Sequence, residues 1–213
     1  MKVTAEHKQK MLAILEDHYR ATTTALEYSS SFELLVAVIL SAQCTDERVN
    51  IITKRLFPRY NTPERMLSLG EEKLAELIRD CGLFRSKAKN LIATCKILCQ
   101  EHQGQVPNTF EELIKLPGVG RKTANVLLSQ LFNVPAIAVD THVFRVSNRL
   151  GIAKAKTPEE TERQLNAYFP KEAWSKVHHL LIFHGRYICH SQKPECGVCL
   201  LREMCKHYNE INF

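Results

Sequence analysis

The sequence predicts an all-α protein with short connections between its helices. Three observations carry the prediction. Apolar residues recur at helical spacing, as in residues 5–19, where Met11, Leu12, Ile14 and Leu15 sit among polar side chains. Helix-start signals recur along the chain. No segment alternates polar and apolar residues as a half-buried strand does. Ala136-Ile137-Ala138-Val139 is short, apolar and compatible with extended chain, but no second run is available to pair with it.

The elements follow in order. Residues 5–19 open the series. Residues 32–42 are nearly all apolar, which predicts a central helix buried on every side. Thr45 is placed to cap the next helix, with Asp46 and Glu47 in the first turn, where the helix dipole favours negative charge. Thr62-Pro63 joins an N-cap to a proline at the first helical position, and Thr157-Pro158 repeats the device. Thr109 with Glu112, and Thr157 with Glu160, match the capping-box pattern. Gly70, Gly82, Gly104 and Gly151 punctuate the ends of helical stretches. Residues 135–139 read as a crossing segment between helical groups and hence as a domain boundary.

Composition narrows the function classes. A chain of 213 residues, 45% hydrophobic, is long enough to bury a core without disulfides or metal to hold it folded. The first ten residues are charged and lack the apolar stretch of a secretion signal. No run approaches the roughly 18 apolar residues of a membrane span. A cytoplasmic, monomeric protein with no membrane partner is expected. Twenty-nine Lys and Arg against 23 Asp and Glu leave a net charge of +6, which favours a polyanionic partner.

Residues 109–116 and 121–132 are helical patterns joined by Pro117-Gly118-Val119-Gly120. Glycine permits the left-handed backbone of a sharp helix–helix reversal, and its missing Cβ lets another backbone approach. The N–H groups at the start of the second helix, with its dipole, form a phosphate site. Leu116-Pro117-Gly118-Val119-Gly120 resembles the helix-hairpin-helix motif, so Gly118, Val119, Gly120 and Arg121 are expected to meet DNA backbone without reading sequence. Lys122 follows in the first turn. A cation there opposes the dipole, which eases loss of its proton, and a neutral amine is the nucleophile of imine chemistry. Asp140 opens Asp140-Thr141-His142-Val143-Phe144-Arg145. It reads equally as an N-cap and as a carboxylate able to stabilise positive charge on a sugar or to move protons.

Eight cysteines fall into two groups. Cys44, Cys81, Cys95 and Cys99 lie in helical patterns and read as small buried hydrophobes. Cys189, Cys196, Cys199 and Cys205 crowd near the end of the chain with gaps of six, two and five residues. Four thiolates on one loop suit structural zinc or an iron–sulfur cluster. The first gap is too long for the paired short knuckles that zinc favours. Between Cys189 and Cys196 stand His190 and Lys193, which can face DNA.

Together these features resemble the endonuclease III family of DNA glycosylases over essentially the whole chain. The most specific stretches are Leu116-Pro117-Gly118-Val119-Gly120-Arg121-Lys122-Thr123-Ala124, Val139 through Arg145, and His184-Gly185-Arg186-Tyr187 leading into the cysteine loop; Ser41-Ala42-Gln43 and Gly82-Leu83-Phe84 also fit. The resemblance implies a six-helix domain over residues 23–134. A second domain would combine residues 1–22 with 135–213, and a DNA-binding cleft would lie between the two. It implies a [4Fe-4S] cluster on Cys189, Cys196, Cys199 and Cys205, and duplex DNA with damaged pyrimidines or abasic sites as partner. Lys122 would be the Schiff-base nucleophile, with β-elimination 3′ to the lesion, and Asp140 would assist base departure. Gln43 and Leu83 would fill the gap left by a flipped nucleotide, and His142 and Lys193 would contact DNA. Flipping is expected because an enzyme cannot reach the anomeric carbon inside an intact stack.

Two departures stand out. Glu195 takes a place where the family often has a basic residue. Cys44 and Cys81 adjoin the gap-filling residues, either as plain packing or as mildly redox-sensitive thiols. The related adenine-glycosylase branch lacks the lysine and uses a glutamate where this chain aligns Ala37. The alternative from another class is a non-catalytic helix-hairpin-helix DNA-binding protein.

Overall fold

The computed structural model describes residues 5–19 and 24–211 and is all-α, with no strand among the described residues. The helices are α1 (Ala5–His18), α2 (Ser31–Ser41), α3 (Asp46–Tyr60), α4 (Pro63–Leu67), α5 (Gly70–Leu77), α6 (Phe84–Glu101), α7 (Phe110–Leu113), α8 (Arg121–Phe132), α9 (Thr141–Leu150), α10 (Pro158–Tyr168), α11 (Trp174–Tyr187) and α12 (Lys206–Ile211). Single 3-10 turns lie at Lys171–Ala173, Cys196–Val198 and Arg202–Met204. No helix among the described residues is long and apolar enough to cross a membrane.

The chain divides into two compact units, Thr24–Asn133 and the pair of segments Met1–Thr23 and Val134–Phe213. The first unit is built round α2. Its residues Phe32 to Leu40 are all buried, as the apolar run requires. Leu56, Leu74, Leu91, Leu98, Leu113 and Leu127 close round it. The second unit packs Met11 and Leu15 of α1, Val143 and Val146 of α9 and Leu180 and Leu181 of α11 into its own core. There the approach of α9 to α11 rests on Gly185, where a Cβ would come within 2.9 Å of His142 Cβ.

The caps expected from sequence are present at Thr45, Thr62, Thr109 and Thr157, whose hydroxyls accept from the N–H three residues on. The two capping boxes close differently from the expected pattern. Glu112 accepts from the Thr109 hydroxyl at 2.7 Å, and Glu160 accepts from Lys156 N–H at 3.1 Å rather than from the cap residue. The helix expected over residues 109–116 ends as α7 at Leu113, because Lys115 and Leu116 donate to carbonyls only three residues back. This tightening drops Leu116 into the core just before the turn. Residues 136–139 are buried and lie outside the helices.

Candidate active site

In the unit Thr24–Asn133, the turn between α7 and α8 is pinned from below. Pro117 gives its carbonyl to the Thr94 hydroxyl at 2.8 Å, and Val119 donates its N–H to the Leu116 carbonyl at 3.0 Å. Leu116 and Val119 are both buried. Val119 therefore shapes the turn, since its side chain and its N–H are both engaged within the protein.

The two glycines differ. Gly118 has φ +82, and a Cβ there would stand 3.2 Å from Asn90, so the chain itself demands it. Gly120 has φ −90 and ψ 178, extended backbone that any residue adopts. Nothing lies within 4 Å of the place its Cβ would take. Its glycine is not explained by the fold, but it leaves bare backbone at the mouth of α8, where no side chain caps the helix. Arg121 and Lys122 are exposed in the first turn, and the Arg121 guanidinium lies 5.0 Å from the Phe110 ring centre. A helix start with no side-chain cap, its dipole and exposed cations are features that suit an anion.

The same unit carries Gln43, just beyond α2, and Leu83, just before α6. Both adopt left-handed backbone, φ +55 and +58. That conformation costs a residue with a Cβ ~1–2 kcal/mol and persists only where surroundings impose it. The loops touch, because a Cβ on Gly82 would stand 3.1 Å from the Gln43 carbonyl. Gln43 is exposed, and Leu83 is 58% exposed despite its apolar side chain. Of the scattered cysteines, Cys81 and Cys95 are buried as expected, and burial pushes the Cys95 thiol up to about 12. Cys44 and Cys99 are only half-buried.

In the other unit, Asp140 is the N-cap of α9. Its Oδ1 accepts from His142 N–H at 2.9 Å and from Val143 N–H at 2.8 Å. The cap fixes the carboxylate rotamer on a rigid helix end, which is how a catalytic carboxylate is pre-organised. The two readings of Asp140 are compatible. Next to it, His142 Nδ1 lies 3.1 Å from Arg145 Nη2.

The cysteine loop hangs from α9. Arg145 donates from Nε to the Cys189 carbonyl at 3.0 Å and from Nη2 to the Gly185 carbonyl at 2.8 Å. Arg149 donates to the carbonyls of His190 and Ser191 and points Nη1 at Cys189 Sγ, 3.5 Å away. His184 is buried on α11, with Nε2 at 3.6 Å from Cys199 Sγ and Nδ1 at 3.2 Å from the Tyr19 hydroxyl. Burial holds the His184 imidazole down at about 4 and pushes Tyr19 up to about 12. Burial also raises the Cys199 and Cys205 thiols, and the neighbouring thiols of the set add to the push. The four cysteines thus feel one another. Yet no three His, Cys, Asp or Glu side chains among the described residues are gathered closely enough to hold a metal ion. Lys193 is exposed with left-handed backbone, φ +50, and Glu195 Oε1 lies 3.5 Å from His190 Nε2.

Sequence reasoning gave no role to Arg145, Arg149, His184 or Tyr19, although Arg145 and His184 fall within the matching stretches. The two arginines had a readable signal, a spacing of four residues that puts both on one face of α9. Tyr19 and His184 are 165 residues apart and had none.

Comparison with known proteins identifies the family. The family model for HhH-GPD superfamily base excision DNA repair proteins matches residues 36–171. The chain is 53% identical to endonuclease III of Rickettsia conorii, over 96% of this chain and 97% of that one. It is 47% identical to endonuclease III of Escherichia coli K12, over 95% and 96% respectively. Among solved structures it is similar to a trapped endonuclease III–DNA covalent intermediate (TM-score 0.91, 46% identity, 97% of this chain and 99% of that one). A non-covalent endonuclease III–DNA complex is equally similar (TM-score 0.92, 45% identity, 98% of both). A thermostable thymine-DNA glycosylase, 21% identical, shares the fold (TM-score 0.86, 98% of this chain and all of that one). A family model over well more than half the chain, and relatives near half identical along nearly all of it, mean that the chain belongs to the endonuclease III family within the HhH-GPD superfamily of base excision DNA repair proteins.

Proposed function

We propose that Lys122 and Asp140 carry the chemistry by which this base excision repair enzyme releases oxidised pyrimidines from duplex DNA and nicks the strand. The chain is a DNA glycosylase and abasic-site lyase acting on duplex DNA. The observation that carries the residue assignment is the mouth of α8: bare backbone at Gly120, an uncapped helix start, and an exposed lysine one step into the helix. Phosphate held there brings deoxyribose beside an amine.

The neutral Lys122 Nζ attacks C1′ of the extruded nucleotide. The C1′–N bond breaks, and its electron pair leaves with the base, which takes up a proton. The sugar ring opens as nitrogen forms an iminium at C1′. Loss of a C2′ proton then drives out the 3′ phosphate, which is β-elimination. Asp140 offsets positive charge as the base departs and serves in proton movement. Gly118 and Val119 set the turn, Gly120 and Arg121 meet the backbone, and His142 and Lys193 add DNA contacts. Gln43 and Leu83 fill the place of the flipped nucleotide.

Cys189, Cys196, Cys199 and Cys205 would hold a [4Fe-4S] cluster, with a structural role in shaping the loop. Soft thiolates suit it, and Arg145 and Arg149 offset the negative charge that four thiolates bring.

Borohydride reduction of the enzyme with duplex DNA bearing one thymine glycol tests the proposal. A covalent adduct is expected. Absence of an adduct on both that duplex and an abasic duplex would replace this reading with a non-catalytic DNA-binding protein.

Asp140→Asn separates the two roles of that residue. Asparagine caps a helix as well as aspartate does, so thermal stability should hold. Base release should slow by roughly 10²–10⁴, the usual worth of a positioned acid–base group. Activity on a pre-formed abasic site should be partly retained. Base release at the wild-type rate from a damaged duplex would remove Asp140 from the chemistry.

A further inference from the structure

Behind the loops of Gln43 and Leu83 lies a buried amine that the reaction does not use. Lys87, near the start of α6, is 4% exposed. Its Nζ donates to the Leu40 carbonyl at 2.9 Å, to the Ala42 carbonyl at 2.5 Å and to Cys81 Sγ at 3.0 Å. An ammonium has three N–H donors, and these acceptors can take all three. The Cys81 thiol donates onward to the Leu40 carbonyl at 3.2 Å.

The choice of acceptors is informative. Carbonyls in the last turn of a helix have no partner within it, and a cation is favoured there by the dipole. Leu40 and Ala42 are those carbonyls for α2, and Gln43 is the next residue. Cys81 lies two residues before Leu83, on the other loop. One buried charge therefore ties together the two segments from which the left-handed residues project. Gly82 allows the close approach that this tie needs, at 3.1 Å from the Gln43 carbonyl.

We propose that Lys87 is a positioning residue for nucleotide extrusion, holding Gln43 and Leu83 in a fixed mutual geometry before DNA arrives. The inference rests on the reading of those two residues as gap-fillers. Without the tie, the loops must be ordered at the moment of binding. That burden falls on substrates that must be unstacked and spares those with no stack to open.

Lys87→Met tests this with three readouts: single-turnover base release from a thymine glycol duplex, β-elimination on a single-stranded abasic oligonucleotide, and fluorescence of 2-aminopurine opposite the lesion. Base release from the duplex is expected to fall about 10²-fold, the scale of a misplacement of about 1 Å. Single-strand β-elimination should be unchanged, and the fluorescence rise that reports unstacking should be lost. Equal loss on both substrates, or no loss on the duplex, would overturn the proposal. Because Lys87→Met takes a donor from the Leu40 and Ala42 carbonyls and from Cys81 Sγ, Cys81→Ala serves beside it. That variant keeps the ammonium on the α2 carbonyls and cuts its link to the second loop, together with the bond from Cys81 to the Leu40 carbonyl. It should show the same selective loss in weaker form, and wild-type behaviour from a folded Cys81→Ala protein would sink the proposal even if Lys87→Met does not fold. A Gln43→Ala, Leu83→Gly double variant separates the two levels of the argument. If it releases base from duplex at the wild-type rate, the gap-filling reading fails. If it is slow while Lys87→Met and Cys81→Ala are not, the role of Lys87 alone fails.

Discussion

Lys122→Gln is expected to yield no borohydride adduct and no nick on either a thymine glycol or an abasic duplex. A loss on the order of 10³ or more is the scale expected when a covalent nucleophile is deleted. The variant should fold and bind DNA. Lys122 is exposed in the first turn of α8, so its removal opens no cavity. A cation at a helix start opposes the dipole by about 0.3–1 kcal/mol, so its replacement by a neutral amide is neutral or mildly stabilising. The phosphate site belongs to the backbone of Gly120 and the following N–H groups, which glutamine leaves in place. The fall in nicking must therefore appear with melting temperature and abasic-duplex affinity close to wild type. Nicking by the variant at an unchanged rate would move the nucleophile elsewhere. Loss of binding in parallel with loss of nicking would make Lys122 a phosphate contact.

Much of the fold was legible because it is written locally. Threonine caps, the apolar run of α2 and the glycine turn before α8 are each fixed within a few residues, and the structure places them there. The places where the sequence misled are those where a local pattern had two outlets. Glu112 and Glu160 follow their cap residues at the right spacing, but each side chain found a partner other than the cap N–H. Residues 114–116 continue a helical pattern, yet a 3-10 tightening seats Leu116 better in the core.

For the site, the motifs pointed to the segments but not to what supports them. Nothing in the sequence marks Lys87 among the lysines of α6, and its three acceptors lie at the end of α2 and in the loop before α6, 6 to 47 residues away. Arg145 and Arg149 read as a basic helix face, and only the fold turns that face onto the cysteine loop. The distinction between Gly118 and Gly120 is also invisible in sequence. One is required by φ and by Asn90, the other by nothing inside the protein. That second kind of glycine argues for an external partner better than the motif does, since no internal force accounts for it.

Cys199→Ser should lose the iron almost completely and loosen the segment from Cys189 to Cys205. A serine hydroxyl is a hard, weakly acidic ligand in place of a soft thiolate, and an iron–sulfur cluster with three good ligands is poorly held. The consequence for the loop follows from how it is built. Single 3-10 turns and α12 frame it, with little apolar core beyond Leu201 and Cys205. Its fixed points are the hydrogen bonds from Arg145 and Arg149. Burial and the neighbouring thiols keep Cys199 and Cys205 protonated in the absence of metal, so assembly must release protons and its energy is folding energy for this segment. Iron and sulfide content, visible absorbance and limited proteolysis report on the same samples. The expected result is a pale protein cut within residues 189–205, with the unit Thr24–Asn133 as resistant as before. Full iron content in the variant would take Cys199 out of the ligand set. Zinc in place of iron in the wild-type protein would keep the four cysteines as ligands and change the group they hold.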